Sequence, residues 1–266
     1  MKRVCIFLFS GTGMTRYIVG RMTAEFEKRR VSADVFDMEN VRARDISFQD
    51  YSAVGLAYPV HSFNAPKIVI DFAKGLPKID PTGTFVISTA GGDSPANQAS
   101  SDLLVGILRS KGFVVFFEKQ FIMPSNFIVR DDDDTVLRKI EKANREIPDA
   151  IYGILGFIST RSRPGFVGKA ASFFGRLEWI GARCMNFYAN NECDRCGLCA
   201  ANCPNHNIVM DKERAVFRWN CGLCMRCIYL CPKRSVLIRF PFKSLALAKW
   251  YDNGELSILR YVNKNR

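Results

Sequence analysis

The sequence predicts an α/β protein: a five-stranded parallel sheet with helices on both sides, followed by a small α+β domain. Three observations carry this prediction. Short apolar runs alternate with helix-period segments throughout the first part of the chain. Those runs are nearly continuous rather than alternating, as strands buried on both faces are. From about residue 157 the character changes, and eight of the ten cysteines crowd between Cys193 and Cys231. The predicted organisation is a sheet domain over 1–156, a connector over 157–184, a cysteine-rich domain over 185–240 and a basic tail over 241–266.

The first strand is Val4 to Phe9, an apolar run that meets Ser10-Gly11-Thr12-Gly13. A helix follows, with Tyr17, Ile18, Met22 and Phe26 at helical spacing. Ala33 to Phe36 and Ala53 to Tyr58 are the second and third strands. After Pro66, Ile68, Val69, Phe72 and Leu76 mark one face of a helix. Thr84 to Thr89 is the fourth strand and ends in Ala90-Gly91-Gly92-Asp93. The next helix runs from about Ala96 to Lys111 with Leu103, Leu104, Ile107 and Leu108 inward. Val114 to Ile122 is the fifth strand, and a last helix begins at the acids Asp131 to Asp134, which suit a positive helix N-terminus. Cys5, inside the first strand, reads as a small core residue.

With 266 residues, 48% of them hydrophobic, the chain can bury a substantial core. Val4 to Phe9 is too short for the apolar region of a signal peptide. Ile151 to Ile158 is too short to span a bilayer. A cytoplasmic protein without a transmembrane segment is the expectation. The net charge of +12 is unevenly placed: residues 1–150 hold 20 Lys and Arg against 19 Asp and Glu, while residues 151–266 hold 18 against 7. Basicity confined to one half points to an acidic protein partner, to nucleic acid or to an anionic surface. No nucleic-acid recognition motif accompanies it, so nucleic acid is not the expected partner.

Ligands of parallel sheets bind at the carboxyl ends of the strands, where the strand order reverses. Ser10 to Thr15 offers hydroxyls and unhindered backbone N–H groups ahead of a helix, which suits a phosphate monoester. No Gly-Lys-Ser/Thr follows, and the spacing is not G-x-G-x-x-G, so neither a Walker loop nor a dinucleotide fingerprint is present.

The cysteines carry the most specific signal. Cys193, Cys196, Cys199 and Cys203-Pro204 read C-x2-C-x2-C-x3-C-P, and Cys221, Cys224, Cys227 and Cys231-Pro232 repeat the run. This is the ligand pattern of bacterial two-cluster ferredoxins, in which the fourth cysteine of each run crosses to the other cluster. The expected sets are therefore Cys193, Cys196, Cys199 and Cys231 for one [4Fe-4S] cluster, and Cys221, Cys224, Cys227 and Cys203 for the other. Zinc gives no reason for the third cysteine of each triplet. Disulfides need an oxidising compartment, to which nothing in the sequence points. Cys184 falls outside both sets. Phe187, Tyr188, Ile208, Phe217, Trp219 and Ile228 are candidates for an apolar shell around the clusters.

With these residues in view, the chain resembles the fused flavodoxin–ferredoxin family of anaerobes. Ser10 to Thr15 is similar to the FMN-phosphate loop of flavodoxins, with Met14 where an Asn is usual. Tyr58 to Asn64 and Thr89 to Asp93 stand where flavodoxins place the two loops that sandwich the flavin ring. The resemblance implies strand order 2-1-3-4-5 and a ferredoxin-like second domain. It implies an FMN held by Ser10, Gly11, Thr12, Gly13, Met14, Thr15, Tyr58, Pro59, Val60, His61, Ser62, Phe63, Asn64, Thr89, Ala90, Gly91, Gly92 and Asp93. Tyr58 and Phe63 are the aromatic candidates over the ring. His61, as a lone loop histidine, reads more readily as a polar surface residue than as an acid or base.

Phe166, Val167, Ala170, Phe173, Phe174, Leu177, Ile180 and Cys184 recur at helical spacing in the connector and predict an amphipathic helix. Its apolar face is expected to pack; closing over the flavin edge or docking a partner is the sharper reading. The tail, with Leu245, Leu247, Trp250 and Tyr251 among basic residues, is expected to pack on the second domain rather than lie on a membrane.

Clusters pass single electrons and a flavin accepts one or two. The expected function is electron transfer through two [4Fe-4S] clusters and FMN, from a low-potential donor such as a ferredoxin to a redox protein partner, with no catalytic acid or nucleophile. Two alternatives differ in class. One is an FMN-dependent reductase of a small acceptor such as a quinone. The other is a redox-responsive nucleic-acid-binding protein.

Overall fold

The computed structural model describes residues 3–42, 45–126, 131–160, 164–176 and 187–238. Five strands form one parallel sheet: β1 (Arg3–Leu8), β2 (Ser32–Asp37), β3 (Ala53–Pro59), β4 (Thr82–Ala90) and β5 (Phe113–Ile122). Their order is β2-β1-β3-β4-β5, the flavodoxin-like arrangement with its switch point between β1 and β3. Successive side chains of a strand point to opposite faces. Val4, Ile6 and Leu8 accordingly enter one core, and Cys5 and Phe7 the other.

Helices α1 (Met14–Lys28) and α4 (Asp133–Leu155) cover the first face through Ile18, Met22, Phe26, Ile147, Ile151 and Ile154. Helices α2 (Lys67–Gly75) and α3 (Asp102–Ser110) cover the second with Val69, Ile70, Leu104 and Leu108. Cover on both sides is why the strands read as unbroken apolar runs. Each fully buried large aliphatic side chain contributes roughly 1.5–3 kcal/mol. Cys5 is wholly buried, and burial pushes its thiol up to about 12.

The helix expected over Ala96 to Lys111 is divided. A 3-10 turn, Pro95–Ala99, is capped by Ser94 Oγ, which accepts from the Ala96 N–H at 3.3 Å. Helix α3 starts only at Asp102 because the Ser100 carbonyl accepts from the Ala65 N–H at 2.9 Å. That bond ties the segment to the loop after β3, so the break holds a loop at the sheet edge.

Within the connector, α5 (Phe166–Gly175) is described and residues 177–184 lie outside the described residues. Its packed face is opposite to the one expected. Gly168 sits against Pro95 and Ala99, Gly175 against Ser62, and Ser172 exchanges hydrogen bonds with Asn64 at 2.7 and 2.8 Å. Phe166, Phe173 and Phe174 are exposed instead. The turn and loop beneath come close enough that only small side chains fit between.

The second domain pairs β6 (Phe187–Ala189) antiparallel with β9 (Val236–Ile238), and β7 (Ile208–Met210) antiparallel with β8 (Ala215–Phe217). Two short helices, α6 (Leu198–Ala201) and α7 (Arg226–Leu230), each contain the third cysteine of a triplet. The tail, residues 239–266, lies outside the described residues.

Gly55 pairs with Phe85 across β3 and β4, and a methyl at Gly55 would occupy the space of that ring. Gly55→Ala is expected to reduce unfolding free energy by about 1–3 kcal/mol, measured as a lower urea midpoint. Phe85→Leu in the same chain should recover part of the loss; an unchanged midpoint in Gly55→Ala would refute this packing.

Candidate functional site

The carboxyl ends of β1, β3, β4 and β5 open on a cavity of about 300 Å³. It lies at the low end of the roughly 300–1,000 Å³ range of small-molecule sites. Ser10, Gly11, Thr12, Met14 and Thr15 form one wall, Pro59 to Phe63 a second, and Thr89, Ala90 and Gly91 a third. Three loops from separate parts of the sequence therefore converge, as expected.

The remaining expected residues, and contacts between the walls, complete the site. Gly13, at φ 105°, turns the chain into α1 without a side chain to cap it, and Ser10 Oγ accepts from the Arg16 N–H in the first turn at 3.3 Å. The positive end of the helix faces the first wall. Thr15 Oγ1 and Thr89 Oγ1 lie 2.8 Å apart and join the first and third walls. Asn64 is buried, pairs with His61 through the backbone and is held by Ser172. Gly92 and Asp93 are exposed beyond the rim.

Tyr58 is placed elsewhere. It is fully buried with Val54 and Leu56 in the core beneath α2 and α3, and its hydroxyl has no hydrogen-bond partner among the described residues. Residues 54, 56 and 58 share one face of β3, which aims the ring into the sheet's core and away from the cavity. Phe63 does line the cavity and is partly exposed, so it is the aromatic side chain available there. Burial lowers the imidazole of His61, on the second wall, to about 4, which keeps it neutral near neutral pH.

Asn97 and two groups of lining residues were not expected. Met123, Pro124, Ser125 and Asn126 follow β5 and close the far side. The signal available for them was topological, since β5 ends at the same sheet edge. Asn126 Nδ2 donates to Thr12 Oγ1, which carries this loop onto the first wall. Leu223, Cys224 and Met225 enter the cavity from the second domain. A Cβ at Gly11 would collide with the Cys224 carbonyl, so the two backbones touch there. Tyr229 Oη also crosses between the domains, donating to the Asn126 carbonyl at 2.9 Å.

The cysteine runs are duplicated in backbone as well as sequence. Arg195, Gly197 and His206 have φ of 63°, 75° and 49°; Leu223, Met225 and Arg234, each 28 positions later, have 50°, 60° and 50°. Residues other than glycine occupy such conformations at a cost of roughly 1–2 kcal/mol each, and surrounding structure must hold them there. Left-handed residues set among right-handed ones turn successive N–H groups toward one point, a concavity suited to anions, iron–sulfur centres among them. The sulfur contacts repeat likewise. Asn207 N–H donates to Cys203 Sγ at 3.2 Å, and Ser235 N–H donates to Cys231 Sγ at 3.3 Å.

The thiols of the two runs lie close enough to influence one another. Burial pushes the Cys199 thiol up to about 11, and Cys193, Cys231 and Cys196 add to the rise. Burial also raises Cys227, with Cys224, Cys221, Cys203 and Cys199 adding in that order. Buried thiols of this kind give up protons when they take up metal. Among the described residues, no three His, Cys, Asp or Glu side chains converge to hold a metal ion. Phe187, Phe217 and Ile228 pack with Cys221, Cys227 and Cys231, while Ile208 packs with Cys193, Cys199 and Cys203. Trp219 is 74% exposed and lies outside this apolar shell.

The donor set fits the groups expected of it. A phosphate suits the N-terminal end of α1 with the Ser10, Thr12 and Thr15 hydroxyls. A flat ring suits the slot between the second and third walls, where a Cβ at Gly91 would stand 3.2 Å from Ser125. Eight thiols in two repeated runs suit iron–sulfur chemistry.

Comparison with family models matches residues 185–232 to the 4Fe-4S dicluster domain. Comparison with curated proteins finds no match. Among solved structures, a Streptococcus pneumoniae flavodoxin aligns at 13% identity over 59% of this chain and 98% of that one, with a TM-score of 0.41. Flavodoxin 1 from Bacillus cereus aligns at 18% identity over 57% and 98%, with a TM-score of 0.39. Rubredoxin oxygen:oxidoreductase from Desulfovibrio gigas aligns at 16% identity over 58% of this chain and 37% of that one, with a TM-score of 0.39. The strand order and the cysteine domain together define the architecture: a flavodoxin-like domain fused to a 4Fe-4S dicluster domain. No described helix is long and apolar enough to cross a membrane.

The lowered His61 gives a pH dependence with a definite sign. The unfolded chain binds the proton more tightly, so stability is full above about pH 6.5 and is lost as pH falls toward 4. Relative to His61→Gln, the native chain is expected to lose about 1 kcal/mol between pH 7.5 and pH 5.5, read from urea unfolding. A constant difference between the two chains would show that the imidazole is not held neutral.

Proposed function

We propose that this chain is an iron–sulfur flavoprotein that moves electrons between two [4Fe-4S] clusters and FMN on one polypeptide. The observation that carries the reading is the shared wall: Cys224, an expected cluster ligand, lines the same cavity as the phosphate loop. Clusters supply single-electron steps, and FMN bound in the cavity supplies a centre that takes one or two electrons. The protein's part is to hold these centres close and to exclude water between them.

The inner cluster would be held by Cys203, Cys221, Cys224 and Cys227, against the cavity. The outer cluster would be held by Cys193, Cys196, Cys199 and Cys231. Cys196 is exposed beside the exposed Arg195, which makes this end the natural port for an acidic redox partner. Within the cavity the Ser10 to Thr15 loop would bind the phosphate. Phe63 and the Gly91 loop would flank the ring. Hydrogen bonds to sulfur from the N–H groups of Asn207, Leu223 and Ser235 favour the reduced, more negative cluster state and so raise the potentials. The chain offers no acid or base required for this transfer.

The test is rapid mixing of anaerobically loaded protein with less than one equivalent of a one-electron reductant. Cluster absorbance is expected to bleach and then recover as the flavin band declines, with a rate independent of protein concentration. Cys224→Ser is expected to slow the second phase about tenfold or more, since ligand replacement displaces the inner cluster. A second phase that scales with protein concentration would defeat the relay within one chain.

A further inference from the structure

One side chain crosses between the two sites. Arg226 lies between Cys224 and Cys227, yet it is only 5% exposed, and its guanidinium bridges the first cysteine run and the sheet domain. Its Nη1 donates to both carboxylate oxygens of Glu39 at 2.9 Å and to the Asn202 carbonyl at 3.1 Å. Its Nη2 donates to the Ser10 carbonyl at 2.8 Å. Asn202 immediately precedes Cys203, Ser10 opens the phosphate loop, and Glu39 follows β2. A single planar group thus fixes two segments that supply inner-cluster ligands and the first peptide of the phosphate loop.

We propose that Arg226 is a positioning residue that couples the inner cluster's ligand loop to the phosphate loop, so that each site holds the other's geometry. The inference rests on the FMN reading above. In a planar trans peptide the carbonyl and the following N–H point in opposite directions. Holding the Ser10 carbonyl therefore aims the Gly11 N–H away from Arg226, on the loop that walls the cavity. The same guanidinium offsets the charge of Glu39, a carboxylate it holds alongside the Ser10 carbonyl. Lysine cannot reproduce this role, because it lacks the rigid fork that reaches three partners at once.

The test compares FMN with riboflavin, which lacks the phosphate, by flavin fluorescence quenching on full-length protein loaded anaerobically, with iron content checked for each variant. Arg226→Met is expected to weaken FMN about tenfold and to leave riboflavin nearly unchanged. Adding Glu39→Gln to that chain should restore part of the loss. Arg226→Lys should fall between the native chain and Arg226→Met. Glu39→Gln alone leaves the cysteine loop untouched, keeps an acceptor for Arg226 and should tighten FMN about threefold by removing a negative charge. Unchanged FMN affinity in Arg226→Met, equal loss of both flavins, or weakening by Glu39→Gln would each overturn the coupling. If Arg226→Met fails to load iron, the other two variants decide. A native chain that binds neither flavin would sink the FMN reading itself, a result distinct from all of these.

Discussion

Where Gly11 meets the Cys224 carbonyl, two backbones touch with no room for a side chain. The phosphate loop can approach the cysteine loop only because one residue lacks a Cβ. Everything proposed about electron transfer depends on that approach, since it makes a cluster-ligand loop one wall of the flavin cavity. The contact is reinforced by Tyr229 at one side and by the ion pair of buried Arg226 and partly buried Glu39 at the other.

The two domains solve the anion problem in the same currency, with backbone N–H groups. In the sheet domain a left-handed Gly13 presents the N-terminal end of α1. In the second domain, left-handed residues recur at corresponding positions of both cysteine runs, most of them not glycine. Such conformations are costly in an empty loop. Their repetition is accompanied by matched N–H contacts to Cys203 and Cys231, so the two runs share one backbone plan. The apolar surroundings of the two runs differ, and the second run borders the cavity. Under the proposed function those differences would give two centres different potentials.

Much of this was legible in the sequence, and the reasons are physical. Spacing fixes the cysteine runs because a cluster dictates how a chain must wrap it. The strands were legible because burial on both faces leaves unbroken apolar runs, and their ends located the three loops. Tyr58 was misread because a residue at a strand's end belongs to strand or loop according to the register, and here parity sends it into the core. The Met123 to Asn126 loop was passed over because it lacks the glycines that mark the other loops. The packed face of α5 was inverted because apolarity favours Phe173 and Phe174, while close approach to the Pro95 turn admits only Gly168, Ser172 and Gly175. The roles of Leu223 and Met225 depend on how two domains meet, which no local pattern encodes.

The central claim is compositional before it is kinetic: one chain carries two cubanes and one flavin nucleotide. Metal and flavin content of full-length protein isolated without oxygen tests this most directly. The prediction is about eight irons by the ligand count of two four-iron clusters, with matching sulfide, one FMN and negligible zinc. Zinc in place of iron, or no FMN retained at saturating concentration, would contradict it.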